Sequence, residues 1–214
     1  MARRKKNKNL KGIPAAIVLI LALIGGFAEH GNLMERMSGE PAQNIADTVA
    51  TGQMKVTYLD VGQGDCTIIQ TEEHNAMIDA GNNHEGKEVV AYLNQQGIDK
   101  LDYLILTHPD ADHIGGGDDV LENIDVEQVI MPDVANDTMT YEEVMDDIEK
   151  ENVPVEHPKV GEELGLGDAT FTVLCPETDL VSSDDTNDAS VGIKLVHGEN
   201  SFVMCGDASE KSES

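Results

Sequence analysis

Basic residues and cysteines are both scarce in this sequence, and each scarcity argues against a class of protein. The 214 residues include 14 Lys and Arg against 41 Asp and Glu, which gives a formal net charge of −27. Nucleic-acid affinity comes largely from Lys and Arg that replace counterions on phosphates, so strong DNA binding is not expected. Three cysteines are too few, and odd in number, for a disulfide framework. The strand-like runs around Cys66 and Cys205 predict small buried thiols.

The few basic residues are concentrated at the N-terminus. Six of the 14 precede Glu29, the first acidic residue, so residues 29–214 hold 8 basic and 41 acidic residues, a net charge of −33. An uncharged and mostly apolar segment, residues 13–28, follows the basic stretch directly. This order is typical of a targeting segment whose basic end stays in the cytoplasm, and it predicts that the rest of the chain is exported.

The sequence is compatible with two roles for residues 13–28, a membrane anchor and a cleaved signal peptide. As a helix the segment would span roughly 24 Å, which is shorter than a hydrocarbon core of about 30 Å. Gly26 and Ala28 are small residues of the kind that a signal peptidase reads. We therefore expect either a single-pass membrane protein with its domain outside the cytoplasm, or a secreted protein. The predicted regions are a targeting region (1–28), a linker (29–52) and a domain (53–214).

The spacing of apolar residues in the domain changes twice along the chain. Short β-rich runs come first, then helical spacing alternates with continuous apolar runs, and short strands return after Val153. This order predicts an α/β fold, an α+β sandwich in which helices cover a sheet. Thr140 is the expected N-cap of the last helix. The first strands are predicted at 55–60, 66–71, 75–79, 101–107 and 126–132, and the helices at 85–96, 117–123 and 140–151.

The residues with the clearest chemistry directly follow the apolar run 101–107. Four potential metal ligands, His108, Asp110, Asp112 and His113, occur within six residues. In an open α/β sheet, ligands usually bind at the carboxyl ends of the strands. In an extended loop, His108 and Asp110 would bind one cation and Asp112 and His113 would serve a second. Close spacing of this kind is what a hydrolytic two-metal site needs.

The sequence HPDADH (108–113) resembles the H-x-H-x-D-H metal loop of the metallo-β-lactamase superfamily, with Asp110 in place of the second histidine. Four further motifs occur in the order of the ComEC-like competence-protein branch of that superfamily: LDVGQGDC (59–66), MIDAG (77–81), NDASV (187–191) and MCGDA (204–208). The resemblance extends over residues 53–208. The resemblance implies the αββα metallo-β-lactamase fold and a metal-dependent hydrolase, which the order of the N-terminal residues leads us to expect outside the cytoplasm.

The resemblance also implies roles for individual residues. It implies metal ligation by His108, Asp110, Asp112 and His113, with Asp207 bridging two cations, and Asp112 is also the expected catalytic group. The counterpart of Asp79 orients a ligand from beneath the site. A turn-forming role beside the nearby glycines is an equal alternative for Asp60 and Asp65. The residues expected to line the cleft are Asp60, Asp65, Asn187, Asp188 and Ser190.

The expected cofactor is a pair of divalent cations. A carboxylate at position 110 is a harder ligand than an imidazole, which shifts the expected metal from zinc alone toward manganese or magnesium. The expected substrate is a phosphodiester, and a small ester or lactone is the alternative. The chain ends seven residues after Asp207, before the final histidine of the family. We therefore expect an incomplete fold without its closing part, and a non-catalytic binding module is a third possibility.

Overall fold

The computed structural model describes residues 49–177 and 185–212. The predicted targeting region, 1–28, and residues 29–48 of the predicted linker lie outside the described residues. In the part of the chain that is described, no helix combines the length and the apolar character that a membrane span requires.

Short strands and four helices alternate along the described chain in the order that the sequence predicts. The strands are β1 (Lys55–Tyr58), β2 (Thr67–Gln70), β3 (Asn75–Ile78), β4 (Lys100–Leu101), β5 (Tyr103–Ile105), β6 (Asp125–Val126), β7 (Val129–Ile130), β8 (Val155–Glu156), β9 (Glu163–Leu166), β10 (Ala169–Cys175), β11 (Gly192–His197) and β12 (Asn200–Met204). The helices are α1 (Gly86–Gln95), α2 (Ala111–Ile114), α3 (Gly117–Asn123) and α4 (Met139–Glu151), and a 3-10 helix spans Thr186–Ala189.

Two main sheets form the centre of the domain. The first has six strands in the order β1-β2-β3-β5-β7-β8, and the second has four in the order β12-β11-β10-β9. Strands β1, β2 and β3 pair antiparallel, whereas β3, β5, β7 and β8 run parallel because a helix or a longer connection joins each of them to the next. The second sheet is antiparallel throughout, and β4 pairs with β6 in a small third sheet.

The two large sheets pack face to face through one apolar core. Ile69, Ile78 and Ile105 of the first sheet meet Phe171 and Ile193 of the second, and all five are almost completely buried. Alternate residues of each strand face this core, as period-two spacing requires. The opposite face of the first sheet packs against the helices in a second core. Its members include Met77, Leu104, Val89, Leu93, Val120, Val144 and Ile148. The predicted α/β fold class is therefore confirmed.

Two local predictions differ from the structure. Cys66 is buried, and burial raises the pKa of its thiol to about 12, but Cys205 is only partly buried because it follows β12, an edge strand. The N-cap of α4 is Thr138 rather than Thr140, since the Thr138 side chain accepts a hydrogen bond from the Tyr141 amide at 3.3 Å. Thr140 instead donates to Asn83 Oδ1 at 3.1 Å.

Replacing Thr138 with alanine is expected to lower the free energy of unfolding by about 1 kcal/mol, because the first turn of α4 loses its capping acceptor. Urea denaturation followed by circular dichroism measures this loss. Thr140→Ala is the matched control, and its loss should be smaller because its hydroxyl bonds a loop side chain. A larger loss for Thr140→Ala than for Thr138→Ala would contradict the assignment of the cap.

Candidate metal centre

Three segments that are distant in sequence meet at one edge of the first sheet. Strands β3 and β5 are parallel neighbours, with Ile78 opposite Ile105, so the residues that follow each strand emerge side by side. Asp79 follows β3, and Thr107 and His108 follow β5. Asp207 arrives from the second sheet, three residues after the end of β12. The carboxyl ends of parallel strands are the usual place for a ligand site in such a sheet.

The two histidines of the predicted metal loop face each other across a helical turn. After His108 and Pro109 the chain enters α2, which turns His113 back so that the two imidazole rings lie with their centroids 4.2 Å apart. The expectation of an extended loop is therefore wrong. In an extended loop His108 would act with Asp110, whereas the helical turn pairs His108 with His113.

Asp207 completes a group of three side chains whose ligand atoms lie close together. The ligand atoms of His108, His113 and Asp207 are all within 4.8 Å of one another, and His113 Nε2 lies 3.4 Å from Asp207 Oδ1. Gly206 permits this approach, since its φ of 51° is left-handed and a β-carbon there would lie 2.5 Å from Thr107 Oγ1.

The chemistry of these atoms fits a divalent cation. His108 Nε2 is buried and has no hydrogen-bond partner among the described residues, and the nearest carboxylate oxygen, on Asp110, is 3.8 Å away. A buried polar atom without a partner is costly unless something binds it. Burial lowers the pKa of His108, and the charge of His113 acts in the same direction. His108 is therefore held as the neutral imidazole that a metal ion requires.

Asp79 fixes the orientation of His113 from beneath. Its buried carboxylate accepts hydrogen bonds from the Thr107 amide at 2.8 Å and the Thr107 hydroxyl at 2.7 Å, and it lies 2.9 Å from His113 Nδ1. Burial alone would lower the pKa of His113, but the hydrogen bond and charge of Asp79, with the charge of Asp207, raise it to about 9. Asp79 thus directs His113 Nε2 toward Asp207, the role of an outer carboxylate in metal sites.

Asp110 and Asp112 lie beside the group of three but are not members of it. Thr186 donates to Asp110 Oδ1 at 2.8 Å, and Gln63 donates to Asp112 Oδ2 at 3.3 Å. Both carboxylates are partly exposed and held by neutral donors. Their predicted role as ligands remains a prediction.

The loop between β1 and β2 packs against the predicted metal loop. A β-carbon on Gly64 would lie 1.9 Å from the Asp112 carbonyl oxygen, so only glycine permits the contact. Asp65 lies with Asp79 and His113 in a second group of close ligand atoms, and burial raises its pKa. Asp60 is exposed and accepts from the Gly62 amide at 3.2 Å, as a turn-forming aspartate does.

The predicted NDAS segment (187–190) is not part of either ligand group. Asn187 donates its amide to Asp185 Oδ1 at 3.2 Å, and buried Asp188 binds the chain that follows Asp207. Ser190 Oγ is buried without a hydrogen-bond partner among the described residues. Residues that the sequence alone did not single out are Thr107, Gln63, Thr186, Ser209 and Lys211. Of these residues, only Thr107 could have been identified from the local sequence, because it lies between a buried strand and a candidate ligand.

Comparison with known proteins points to the same fold. The family model described as "Metallo-beta-lactamase superfamily" matches residues 59–214. ComE operon protein 3 of Bacillus subtilis is 28% identical over 177 residues, which cover 74% of this chain and 23% of that protein. Recombination protein 2 of Haemophilus influenzae is 29% identical over 164 residues, which cover 74% of this chain and 19% of that protein. The chain therefore spans about a quarter or less of these curated relatives.

Among solved structures, the metallo-beta-lactamase fold protein YhfI from Bacillus subtilis is similar with a TM-score of 0.50. The two sequences are 17% identical, and the match covers 72% of this chain and 62% of that one. At this identity the likeness concerns the fold alone.

Proposed function

We propose, since the chain belongs to the metallo-beta-lactamase superfamily, that it is a divalent-metal-dependent hydrolase of phosphodiester bonds. The observation that carries the proposal is the buried Nε2 atom of His108, which lacks a partner in the described part of the chain, on a residue whose ligand atom is within 4.8 Å of those of His113 and Asp207. Two imidazoles and a carboxylate are a donor set that suits zinc, manganese or iron.

Each side chain would have a separate role in such a site. His108, His113 and Asp207 would hold the cation, and Asp79 keeps His113 in the orientation that binding requires. A bound divalent cation supplies Lewis acidity, which lowers the pKa of a water molecule and polarises the bond to be cleaved. We assign Asp112 as the group that accepts a proton from the attacking water, because it is partly exposed beside the cluster and Gln63 restrains one of its oxygens.

The choice of a phosphodiester rests on two kinds of support. One of the curated relatives, Recombination protein 2, carries a name that refers to recombination. Asp65, Asp110 and Asp112 add carboxylate oxygens beside the cluster, and these suit the hard cations that usually act on phosphate groups. The net charge of −33 over residues 29–214 opposes tight binding of a long polyanion. We therefore favour a short oligonucleotide or a small phosphodiester as the substrate.

We also propose that the domain acts outside the cytoplasm and is attached to the membrane, or released from it, through residues 13–28. The support is the order of the sequence, in which six basic residues precede an uncharged apolar segment.

Hydrolysis of two chromogenic substrates by the full 214-residue chain tests this function. With Mn²⁺ present, bis(4-nitrophenyl) phosphate should be cleaved and 4-nitrophenyl acetate should not, and EDTA should abolish the cleavage. Asp112→Asn should lower kcat by about 100-fold or more, as losing a proton acceptor typically does, and the cation held by His108, His113 and Asp207 should still bind. Faster hydrolysis of the acetate would instead favour an acyl substrate.

Asp168→Asn is the matched control for this experiment. Asp168 is an exposed carboxylate between β9 and β10 that also has a side-chain partner, His197, at 3.0 Å. Its replacement should leave kcat unchanged. Equal losses in Asp112→Asn and Asp168→Asn would mean that removing negative charge, rather than a proton acceptor at the site, causes the effect.

A further inference from the structure

We propose that Asp188 is a positioning residue that holds the turn carrying Asp207 in place, by binding Ser209 and Lys211 with its buried carboxylate. This inference rests on the proposed metal centre, because Asp207 is one of its three ligands. In this role the NDAS segment holds a metal ligand in position and does not itself contact the metal or the substrate.

The turn after β12 is hydrogen-bonded to Asp188. Three hydrogen bonds from residues 209–212 end on Asp188. Ser209 Oγ donates to Oδ1, Lys211 Nζ donates to Oδ2 at 2.7 Å, and Ser212 Oγ donates to the Asp188 carbonyl at 2.8 Å. Within the turn, the Lys211 amide also donates to Ser209 Oγ at 3.2 Å. The turn therefore closes around a single buried residue.

Asp188 is unusual because it is an acidic side chain with only 1% exposure. A buried carboxylate is expensive unless a cation and hydrogen-bond donors compensate its charge. Ser209 and Lys211, which lie two and four residues after Asp207, contribute to this compensation. The burial of Asp188 thus depends on the same turn that Asp188 orders.

The residues on either side of the NDAS segment are hydrogen-bonded to residues 107 and 110. Thr186, in the same 3-10 helix, donates to Asp110 Oδ1 at 2.8 Å, and the Val191 amide donates to the Thr107 carbonyl at 2.8 Å. Asp188 therefore stands between two segments that both carry ligands. Asp188 contacts the turn that carries Asp207, and the neighbouring Val191 contacts Thr107, the residue before His108.

The turn contributes little to the apolar interior. No residue of 205–212 belongs to either apolar core of the described chain, and the Asp207 side chain is half exposed. Loosening the turn should therefore cost little apolar contact while it moves Asp207 relative to His113, which lies 3.4 Å away. A purely structural residue would have the opposite effect, a loss of stability with unchanged metal affinity.

Titration of the full metal-free chain with Mn²⁺ by calorimetry tests this role. Asp188→Asn keeps the shape of the side chain but removes its charge. It should raise the Kd for Mn²⁺ by about 10-fold, the lower end of the effect of losing a direct partner of a ligand, because Asp188 acts on Asp207 through the turn. Lys211→Arg keeps a cation beside Asp188 and should retain most of the affinity. Ser209→Ala removes one of the two side-chain donors to the Asp188 carboxylate and should give a smaller rise, and it replaces Asp188→Asn as the test if that variant does not fold.

A double-mutant cycle shows whether Asp188 acts through Asp207. In the Asp207→Ala background, Asp188→Asn should change the Kd no further, because the ligand that it positions is gone. Glu122→Gln, which breaks a surface ion pair with Lys150, is the control and should leave the Kd at the parent value.

Three results would overturn the inference. An unchanged Kd in Asp188→Asn, or in Ser209→Ala, would mean that the turn positions no ligand. The same rise of the Kd in the Asp207→Ala background as in the parent would mean that Asp188 acts elsewhere. A parent chain that binds no Mn²⁺ would remove the metal centre itself, and the positioning role with it.

Discussion

His108→Ala is expected to lower the affinity of the metal-free chain for Mn²⁺ or Zn²⁺ by more than about 100-fold, the upper end of what loss of an outer-shell partner costs. The reason is that His108 Nε2 is a buried atom with no hydrogen-bond partner in the described chain, and it belongs to a group of close ligand atoms that a cation can bridge. Asp207→Ala should have a similar effect, because its carboxylate faces His113 Nε2 at 3.4 Å. Elemental mass spectrometry and calorimetry on the full chain measure the change.

Neither substitution should unfold the domain. Removing the His108 ring also removes a buried polar atom that is unsatisfied without metal, which offsets part of the cost of the space left behind. Asp207 is half exposed and lies outside both apolar cores. Circular dichroism should therefore show cooperative unfolding in both variants. Loss of folding in the metal-free variants would instead mean that these side chains are part of what stabilises the fold.

A matched control is needed because the chain is so acidic. With 41 Asp and Glu residues, it can retain cations through general attraction. His74→Ala is suitable, since His74 also forms a histidine–aspartate contact, with Asp102 at 2.8 Å, but belongs to neither group of close ligand atoms. It should keep the parent affinity. Equal losses in His74→Ala and His108→Ala would mean that the metal is not held at the proposed centre.

The main features of the fold could be predicted because they depend on local periodicity. The helical spacing around Val89 and Leu93 ends at Gly97, and α1 ends within two residues of it. The predicted helix at 117–123 coincides with α3. The apolar run around Leu104 is buried on both faces, against the helices and against the second sheet. Such patterns repeat every two or three to four residues, so a short window of sequence contains them.

The candidate site was harder to predict from the sequence than the fold, because its contacts join residues that are far apart in the chain. The metal motif identifies His108 and His113 as candidate ligands. Their rings face each other only because α2 turns the chain between them, which the motif does not indicate. The contact between Lys211 and Asp188 joins residues that are 23 positions apart. Nothing in the local pattern of either segment indicates the other. Side-chain pairs of this kind follow from how strands β11 and β12 are placed, and that placement is set by the whole core.

The stability of the metal-free chain should fall as the pH rises from 6.5 to 9. His113 has a pKa raised from its ordinary value of 6.5 to about 9, because Asp79 and Asp207 outweigh the effect of burial. A group with a raised pKa in the folded state stabilises fully below its unfolded value and loses that contribution as the pH passes its folded value. The expected loss across this window is about 3 kcal/mol, at about 1.4 kcal/mol per pKa unit.

Asp79→Asn should remove most of this pH dependence. The amide can still accept from the Thr107 amide but carries no charge to hold a proton on His113. Urea denaturation in EDTA at pH 6.5 and pH 9 measures the effect. The variant should be much less stable than the parent at pH 6.5 and closer to it at pH 9. Glu122→Gln, which removes a surface charge paired with Lys150, should keep the parent's slope.

The outcome matters for metal binding because His113 can bind a cation through Nε2 only after that nitrogen has lost its proton. If Asp79→Asn keeps the parent's slope between pH 6.5 and pH 9, the Asp79–His113 pair is not its source. If the slope disappears, the same carboxylate that orients His113 also holds a proton on it when no metal is bound. Metal binding by the parent chain should then release a proton at pH 7, and calorimetry in buffers of different ionisation enthalpy would measure that proton directly.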